Sequence, residues 1–316
     1  MTTPSQPATE QWSERYRDIE AWPSQTALLA LWEAQLAAVA AVGPALPALA
    51  AAVDAAAARL AQGGRLAYGG AGTSGRIGVQ DGAELTPTFN WPRDRLVFLM
   101  AGGAKALTEA VEDAEDQSGA AADAVAQAGL GERDVLLSVA ASGATPYTVA
   151  CTVAARAAGA LTIGVANVPG SALLHAAEHA VPVATGPEVI TGSTRLAAGT
   201  AQKAVLNLFS TALMLRLGRV YSGQMVDMQA RNAKLRRRSV QMLQDLTDRP
   251  QAECVNALAE AEGHVKTAVL LLHGLDRNGA GVALARHAGH LRPALAELQA
   301  ATARLGSRTS CSGNPR

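Results

Sequence analysis

The stretch that decides the fold is Gly69-Gly70-Ala71-Gly72-Thr73-Ser74-Gly75-Arg76. It follows a short apolar run at residues 65–68 that suits a buried strand, and a helix-like pattern comes after it. A strand, a glycine-rich turn and a helix together present backbone N–H groups and a positive dipole end to an anion. Thr73 and Ser74 add hydroxyl donors, and Glu84 follows about three helical turns later. This combination predicts an enzyme that acts on a small phosphorylated molecule.

The same glycines also match a dinucleotide-binding fingerprint. Gly70, Gly72 and Gly75 satisfy G-x-G-x-x-G, but that interpretation requires an acidic residue at the end of the next strand, where it binds the ribose. The next strand is predicted at residues 96–100, and Ala-Gly-Gly follows it with no carboxylate. The sequence therefore predicts no nucleotide cofactor.

A second small-residue cluster, at residues 140–147, follows an apolar run at 134–140. It contains the hydroxyls of Ser142 and Thr145 on either side of Gly143, and the proline after Thr145 suits a first helical turn. Thr145 alone would be an ordinary helix N-cap. Two such clusters behind strands of one sheet favour a joint anion site.

A third cluster, at residues 185–195, leads into a long helix predicted at 196–217. It contains Glu188, Ser193 and Thr194, and the sequence leaves open whether Glu188 is a buried acid or an exposed loop charge. A further helix is predicted after the second strand, and its acidic residues are Glu109, Glu112, Asp113, Glu115 and Asp116. Most of them are expected to face solvent, while one points into the cleft.

The order of apolar runs predicts the fold class. Runs at 65–68, 96–100, 134–140, 161–166 and 180–184 alternate with helical patterns, which is typical of an α/β fold with a doubly wound, mainly parallel sheet flanked by helices. Two helices broken at Gly43-Pro44 are predicted ahead of the sheet, behind a loose arm at residues 1–22. A helix at 221–245 and a small all-helical module at 250–306 are predicted behind it.

Composition excludes several classes of function. The formal net charge of this 316-residue chain is zero, so no nucleic-acid partner is expected. The three cysteines, Cys151, Cys254 and Cys311, are far apart, and neither they nor the scattered histidines indicate a metal site. No run reaches membrane-spanning length without a charge or a helix breaker. We therefore expect a soluble, cytoplasmic protein with no membrane partner.

The glycine-rich stretch, the acidic residues and the two later clusters together resemble the sugar-isomerase (SIS) fold, and within it the family of N-acetylmuramic acid 6-phosphate etherases. The resemblance runs from about residue 9 to 290 and is densest at 72–76, 81–89, 101–103, 112–116, 140–147 and 186–203. The helices at 250–306 are similar to the ubiquitin-associated-like (UBA-like) module of these etherases. The implied domains are an arm with helices at 1–55, a SIS domain at 56–219, a connecting helix at 220–249, the module at 250–306 and a disordered tail at 307–316.

The resemblance implies a lyase that removes D-lactate from carbon 3 of the amino sugar and adds water, which leaves N-acetylglucosamine 6-phosphate. Glu84 matches the family's acid and Glu115 its second carboxylate, the candidate base at carbon 2. The resemblance implies no metal or cofactor, and it implies a homodimer. The residues expected to bind the substrate and its phosphate are Gly72, Thr73, Ser74, Gly75, Arg76, Ser142, Gly143, Thr145, Glu188, Ser193, Thr194 and Lys203.

The chain departs from the family pattern near the second cluster. Many members have an arginine where Ala144 stands, and the usual Arg-Asn after Thr-Glu is absent around Gln11-Trp12. Loss of a guanidinium weakens anion binding. The alternative is a sugar-phosphate-binding regulator without turnover, like the regulatory protein of glucokinase. An aldose–ketose isomerase would use the same anion-binding turn, but the etherase-like sequence after residue 186 disfavours this alternative.

Overall fold

A five-stranded parallel sheet forms the centre of the N-terminal part of the chain in the computed structural model, which describes residues 6–229 and 232–310. The strands are β1 (Leu66–Gly70), β2 (Leu96–Met100), β3 (Val135–Ala140), β4 (Leu161–Ala166) and β5 (His179–Pro182), in the order β2-β1-β3-β4-β5. Leu66 pairs with Leu96 on one side and with Val135 on the other. All five predicted strands are confirmed to within two residues at each end.

Helices cover both faces of the sheet, which confirms the doubly wound class. Successive side chains of a strand point to opposite faces. Ala67 of β1 packs in the apolar cluster that also contains Val125 of helix α4 (Ser118–Ala128) and Cys151 of helix α5 (Pro146–Ala157). Tyr68, the next residue, instead bonds to Asp81 of helix α3 (Gly72–Phe89) on the opposite face.

Two helices precede the sheet, as predicted. Helix α1 (Ser24–Ala40) and helix α2 (Leu46–Ala61) are separated by a short 3-10 turn at Gly43–Ala45. Helix α2 packs against β3, β4 and β5. Helix α1 keeps five large apolar side chains half exposed or more, namely Leu28, Leu29, Trp32, Leu36 and Val39. This apolar face is a surface that another molecule can cover.

Within the described residues, the stretch Ser24–Ala61 is long and apolar enough to cross a membrane by length and composition alone. Its mean hydropathy is 2.0, and 33% of the tested window is buried. Core helices of soluble proteins have the same length and composition. Since the stretch is two helices with a turn between them, and α2 packs on the sheet, neither helix reaches the roughly 20 residues that a spanning helix needs.

The N-terminal arm differs from the expectation of a loose segment. It forms short 3-10 turns at Ala8–Glu10, Glu14–Tyr16 and Ile19–Ala21, and the Thr9 side chain is fully buried. The composition of this polar stretch gave no indication that one of its side chains is buried.

The remaining helices of the N-terminal unit are α6 (Ala172–Ala176) and α7 (Ala197–Arg216), and the latter confirms the predicted long helix. The chain divides into two compact units, residues 6–86 with 92–213, and residues 87–91 with the described part beyond 213. Cys151 and Cys254 are buried and carry free thiols, while Cys311 lies outside the described residues.

The second unit is helical. It contains α8 (Ala233–Thr247), α9 (Gln251–Glu260), α10 (Val265–Leu272), α11 (Arg277–Arg286) and α12 (Leu291–Ser310), around a core that includes Leu243, Cys254 and Val269. These helices confirm the all-helical character predicted for residues 250–306. The last helix extends four residues into the stretch expected to be a disordered tail, and residues 311–316 lie outside the described residues.

The helix predicted at 221–245 is wrong in its first half. Residues 221–224 form a turn in which Tyr221 and Gln224 pair, and Ser222 has a positive φ of 49°. Helix α8 begins only at Ala233, where the Asn232 side chain accepts the N–H of Leu235 at 2.9 Å. The basic residues Lys234, Arg236, Arg237 and Arg238 are exposed and lie near the start of this helix.

Candidate active site

The strand order places a topological switch point between β1 and β3. From β1 the chain crosses to β2 on one side, and from β3 it crosses to β4 on the other side. Ligands of open parallel sheets bind in the crevice that this reversal creates at the carboxyl ends of the strands. A cleft of about 430 Å³ lies there. Hollows of about 760 and 780 Å³ in the C-terminal unit are larger, but neither lies at strand ends.

The cleft is lined by the loops after β1 and β3 and by three more distant segments. The lining residues are Glu10, Ala71, Gly72, Thr73, Ser74, Glu115, Asp116, Ala141, Ser142, Ala144, Thr145, Pro146, Gly192 and Thr194. The structure therefore brings together seven of the residues predicted for the site, which come from four separate parts of the chain: Gly72, Thr73, Ser74, Glu115, Ser142, Thr145 and Thr194.

Two helix N-termini open into this cleft. Helix α3 begins at Gly72, and α5 begins at Pro146 with Thr145 as an N-cap whose side chain makes no capping hydrogen bond. The first N–H groups of a helix have no partner within it, and they carry partial positive charge. Both helix ends can therefore bind an anion with backbone N–H groups.

Close packing of α3 on β1 depends on glycine. A Cβ at Gly75 would lie 2.8 Å from the carbonyl oxygen of Gly70, and a Cβ at Gly70 would lie 2.9 Å from the backbone nitrogen of Gly75. Neither contact is tolerated by a side chain. These glycines let the helix start directly against the strand, which brings its N-terminus to the cleft.

Three carboxylates line the cleft, those of Glu10, Glu115 and Asp116. Among the described lining residues there is no lysine, arginine or histidine. A bound phosphate would therefore depend on helix N-termini and hydroxyl donors, while the carboxylates are free for proton transfer. Within residues 6–229 and 232–310, no group of three or more acidic, histidine or cysteine side chains could hold a metal ion.

Glu115 lies on a loop, and the predicted helix around it is wrong. The segment forms 3-10 turns at Gly103–Leu107 and Ala114–Asp116, and α4 begins only at Ser118. Gly102, Gly103 and Asp113 have positive φ values of 78°, 65° and 61°, which a right-handed helix cannot include. The loop conformation is what brings two acidic side chains into the cleft.

Curated relatives decide the family of this chain. A family model described as the glucokinase regulatory protein N-terminal SIS domain matches residues 48–156. An N-acetylmuramic acid 6-phosphate etherase from Deinococcus radiodurans is 48% identical over 301 residues, which cover 95% of this chain and 98% of that protein. The chain belongs to the N-acetylmuramic acid 6-phosphate etherase family.

A second curated relative agrees with this assignment to the etherase family. A family member from Streptomyces avermitilis is 49% identical over 258 residues, which cover 81% of this chain and 83% of that protein. Among solved structures, a phosphoheptose isomerase from Francisella tularensis has a TM-score of 0.45 and 20% identity, covering 61% of this chain and all of that chain.

Several residues that the etherase resemblance placed in the site do not line the cleft of this chain. Glu84 is exposed on α3, twelve residues beyond Gly72 and thus about 18 Å along the helix axis. Gly75 and Gly143 are buried in backbone packing. Ser193 and Lys203 are partly exposed and are not among the lining residues.

The Arg76 guanidinium is occupied by backbone carbonyls. It donates to the carbonyl oxygens of Ala106 at 2.8 Å and Glu109 at 3.0 Å. These carbonyls belong to the segment that leads to Glu115, so Arg76 holds that segment against α3. Arg76 therefore stabilises the segment that leads to Glu115 and does not itself line the cleft.

Glu188 is fully buried. The sequence had left open whether it is a buried acid or an exposed loop charge. Its carboxylate accepts the N–H groups of Ala197 at 2.8 Å and Ala198 at 2.9 Å, at the start of α7. Burial raises the pKa of Glu188, the two N–H groups lower it, the charge of Glu10 raises it again, and the pKa lies above its ordinary value. A protein carboxylate thus occupies this helix N-terminus, whereas the N-termini of α3 and α5 line the cleft.

Two acidic lining residues, Glu10 and Asp116, were not predicted for the site. Glu10 lies on the arm that was expected to be loose, and a Cβ at Gly192 would lie 3.0 Å from its Oε2. Asp116 is next to the predicted Glu115 and was grouped with the solvated charges. The only sequence signal for Glu10 was its place beside Thr9, at the point where the family resemblance begins.

Proposed function

We propose that this protein cleaves the D-lactyl ether of N-acetylmuramic acid 6-phosphate, giving N-acetylglucosamine 6-phosphate and D-lactate. The observation that carries the proposal is 48% identity to a family member over 95% of the chain. The cleft supports it, because two open helix N-termini lie beside three carboxylates at the switch point. Its volume of about 430 Å³ is within the range of small-ligand sites.

The phosphate is proposed to bind at the ends of α3 and α5. Backbone N–H groups at both ends supply donors and partial positive charge. Thr73, Ser142 and Thr145 add hydroxyls beside them. Fixing the phosphate there holds the sugar in a defined orientation against the carboxylates, which lowers the entropic part of the barrier.

Glu115 is proposed as the base. In the open-chain sugar, the aldehyde makes the proton on carbon 2 acidic, and a carboxylate removes it. The electron pair of that bond forms the double bond to carbon 3 while the bond from carbon 3 to the lactyl oxygen breaks. An acid protonates the departing oxygen, and water then adds to carbon 3 as a proton returns to carbon 2.

Glu84 is proposed as the acid, supplied by a second copy of the chain. Within one chain it lies on the exposed side of α3, away from the lining residues of the cleft. The apolar face of α1 supports a homodimer, because its five side chains fall within about 100° of one another on the helix. Asp116 and Glu10 are the alternative acids already in the cleft.

The test is D-lactate release from N-acetylmuramic acid 6-phosphate. We expect release by the wild type and at least about a hundredfold less from Glu115→Gln and Glu84→Gln. Glu112→Gln is the matched control, since Glu112 is exposed in the same segment and does not line the cleft. Full activity of Glu115→Gln would overturn its role as base.

Mixing the two inactive variants tests where Glu84 acts. If the partner supplies Glu84, a mixed dimer has one intact site, and random exchange restores roughly a quarter of the activity. If Glu84 acts within its own chain, mixing restores none. Binding without lactate release would favour the sugar-phosphate-binding regulator, which the etherase names of the relatives do not favour. A cytoplasmic location is part of this proposal.

A further inference from the structure

An apolar groove between α8 and α9 is open to solvent in the C-terminal unit. Its volume is about 780 Å³, and its lining includes Val240 of α8 together with Val255 and Leu258 of α9. Val255 is 45% exposed. Apolar side chains that stay exposed beside one another mark surfaces where another molecule binds. We call this surface the α8–α9 groove.

Arginine side chains give the α8–α9 groove a positive rim. Arg236 and Arg237 line the groove, and both are exposed. Glu262 also lines it, but its carboxylate is already paired with Arg277 at 2.5 Å. The first turn of α8 contains no acidic residue, so the partial positive charge of this helix N-terminus adds to the rim. The groove is therefore complementary to a partner that is both apolar and acidic.

Residues 107–116, which we call the acidic loop, have that character. They contain five carboxylates and no cation. Leu107 and Val111 are large apolar side chains of this loop, and they are 39% and 36% exposed. Arg76 donates to the carbonyl oxygen of Glu109 at 3.0 Å, which fixes the backbone between these two side chains. The loop can therefore bind as a preformed surface, with little loss of backbone freedom on binding.

The charges of this chain are segregated although its formal net charge is zero. A chain of large net charge repels its own copies, whereas patches of opposite sign on a neutral chain attract the patches of a second copy. Charge complementarity of this kind steers association and determines which surfaces meet. The acidic loop and the α8–α9 groove match in charge and in apolar exposure, so a second copy of the chain supplies a fitting partner.

We propose that the acidic loop of one copy docks into the α8–α9 groove of a second copy. Leu107 and Val111 cover the apolar floor of the groove, and Glu109 faces Arg237. In a two-fold dimer this contact forms twice, once from each copy. The loop also carries Glu115, which lines the cleft, so docking brings the second copy to the edge of the site. This contact does not depend on the proposed reaction.

Self-association at low ionic strength, measured by sedimentation equilibrium, tests the contact. Arg237→Glu and Glu109→Arg each place like charges opposite one another, and we expect each to weaken association about tenfold at low salt and less at high salt. Arg238→Glu is the matched control, because Arg238 is exposed beside Arg237 but does not line the groove. Its association should stay within about threefold of the wild type. Equal losses in Arg237→Glu and Arg238→Glu would overturn the proposal, because overall charge would then explain both.

Mixing Arg237→Glu with Glu109→Arg tests whether the loop and the groove meet in different copies. In a mixed pair the altered groove faces the altered loop, and the unaltered groove faces the unaltered loop, so opposite charges meet at both contacts. We expect the mixture to associate within about threefold of the wild type, although neither variant does so alone. A mixture that associates as weakly as either variant alone would contradict the contact.

Cross-linking gives an answer that does not depend on how tightly the copies associate. Arg237→Lys places an amine in the groove, and a carbodiimide joins amines to carboxylates that they touch. In a mixture of unlabelled and nitrogen-15-labelled protein, we expect links from position 237 to the acidic loop that join one unlabelled and one labelled peptide. The exposed Lys105–Glu109 pair, 3.4 Å apart, is the positive control and links within one chain. Formation of the control link without a mixed link from position 237 would exclude docking between copies.

Discussion

The Tyr68 hydroxyl donates a hydrogen bond to the buried Asp81 carboxylate at 2.9 Å, which ties strand β1 to helix α3. Burial, the charge of Asp81 and this hydrogen bond hold the pKa of Tyr68 well above its usual value, so the phenol remains a donor. Asn207 and Ser210 of α7 donate to the other oxygen of Asp81. One carboxylate thus joins three elements of the core.

Tyr68→Phe should therefore destabilise the protein. It removes one of three donors from a buried acceptor, and we expect the free energy of unfolding to fall by about 1–2 kcal/mol. Denaturant unfolding measures it, with Tyr16→Phe on the outer arm expected to stay within about 0.5 kcal/mol. Equal stability of the two variants would mean that the Tyr68 hydrogen bond adds nothing.

The ion pair of Asp134 with Arg65 should make stability depend on acid pH. Burial by itself would raise the pKa of Asp134, but the hydrogen bonds from the Arg65 side chain and from backbone N–H groups outweigh it, so the pKa lies below its ordinary value of 3.8. A carboxyl with a lowered folded-state pKa contributes stability above its unfolded pKa and loses it as pH falls through the folded pKa. The advantage of the wild type over Asp134→Asn should thus be full near pH 7 and should shrink below pH 3.8.

Unfolding curves of both proteins at several pH values check this expectation. Asp123→Asn is the control, because Asp123 is exposed on α4, and its effect should be small at every pH. A constant difference between wild type and Asp134→Asn down to pH 2 would contradict the linkage.

Ala144→Arg should strengthen anion binding. Ala144 is exposed at the cleft, where the described lining has three carboxylates and no cation. A guanidinium there should raise the affinity for inorganic phosphate about 3- to 10-fold at low salt and less at high salt. Ala144→Gln adds similar bulk without charge and should show no salt-dependent gain.

Gly143→Ala should disturb the loop after β3. Gly143 has a φ of 66°, and a Cβ there would overlap the Ser171 side chain. Gly170 has a similar φ of 70° with open space around it, so Gly170→Ala isolates the cost of the backbone conformation, about 1–2 kcal/mol. We expect Gly143→Ala to lose more stability than Gly170→Ala and to weaken phosphate binding as well, which unfolding and calorimetry would measure.

The apolar face of α1 should control the oligomeric state. Trp32→Glu places a charge in the middle of the half-exposed side chains of this face. If the face is the dimer interface, the variant should sediment as a monomer at concentrations where the wild type is a dimer. Val153→Glu changes an exposed apolar residue of α5 and should leave the dimer intact. A dimeric Trp32→Glu would exclude this face.

The strands of the sheet could be predicted from the sequence because they are continuous apolar runs, which buried parallel strands require. Such runs predicted the first and last residues of β2 and β4, and the glycine cluster after β1 predicted an anion-binding turn. The helix predicted across Glu109 and Asp116 failed because charge spacing imitates a solvated helix face. The positive φ of Asp113, which breaks that helix, has no comparable sequence signal.

The cleft residues that directly follow strands could be predicted from the sequence. Those that reach the cleft through packing with distant segments could not. Thr73, Ser142 and Thr145 come directly after strands, so local pattern placed them at the cleft. Glu10 reaches it only because Thr9 is buried in the tertiary structure. The Ser74 hydroxyl donates to Gln202, 128 residues away along the chain, and no local pattern contains that information.

The burial of Thr9 has a practical consequence for handling the protein. Glu10 lines the cleft, and an affinity tag joined to Met1 is attached nine residues along the chain from this side chain. A polyhistidine tag at that end could compete for the carboxylates and alter measured affinities. Affinity tags are therefore better placed at the C-terminus. Protein prepared with an N-terminal tag should be compared with the tag-free protein before its measured affinities are used.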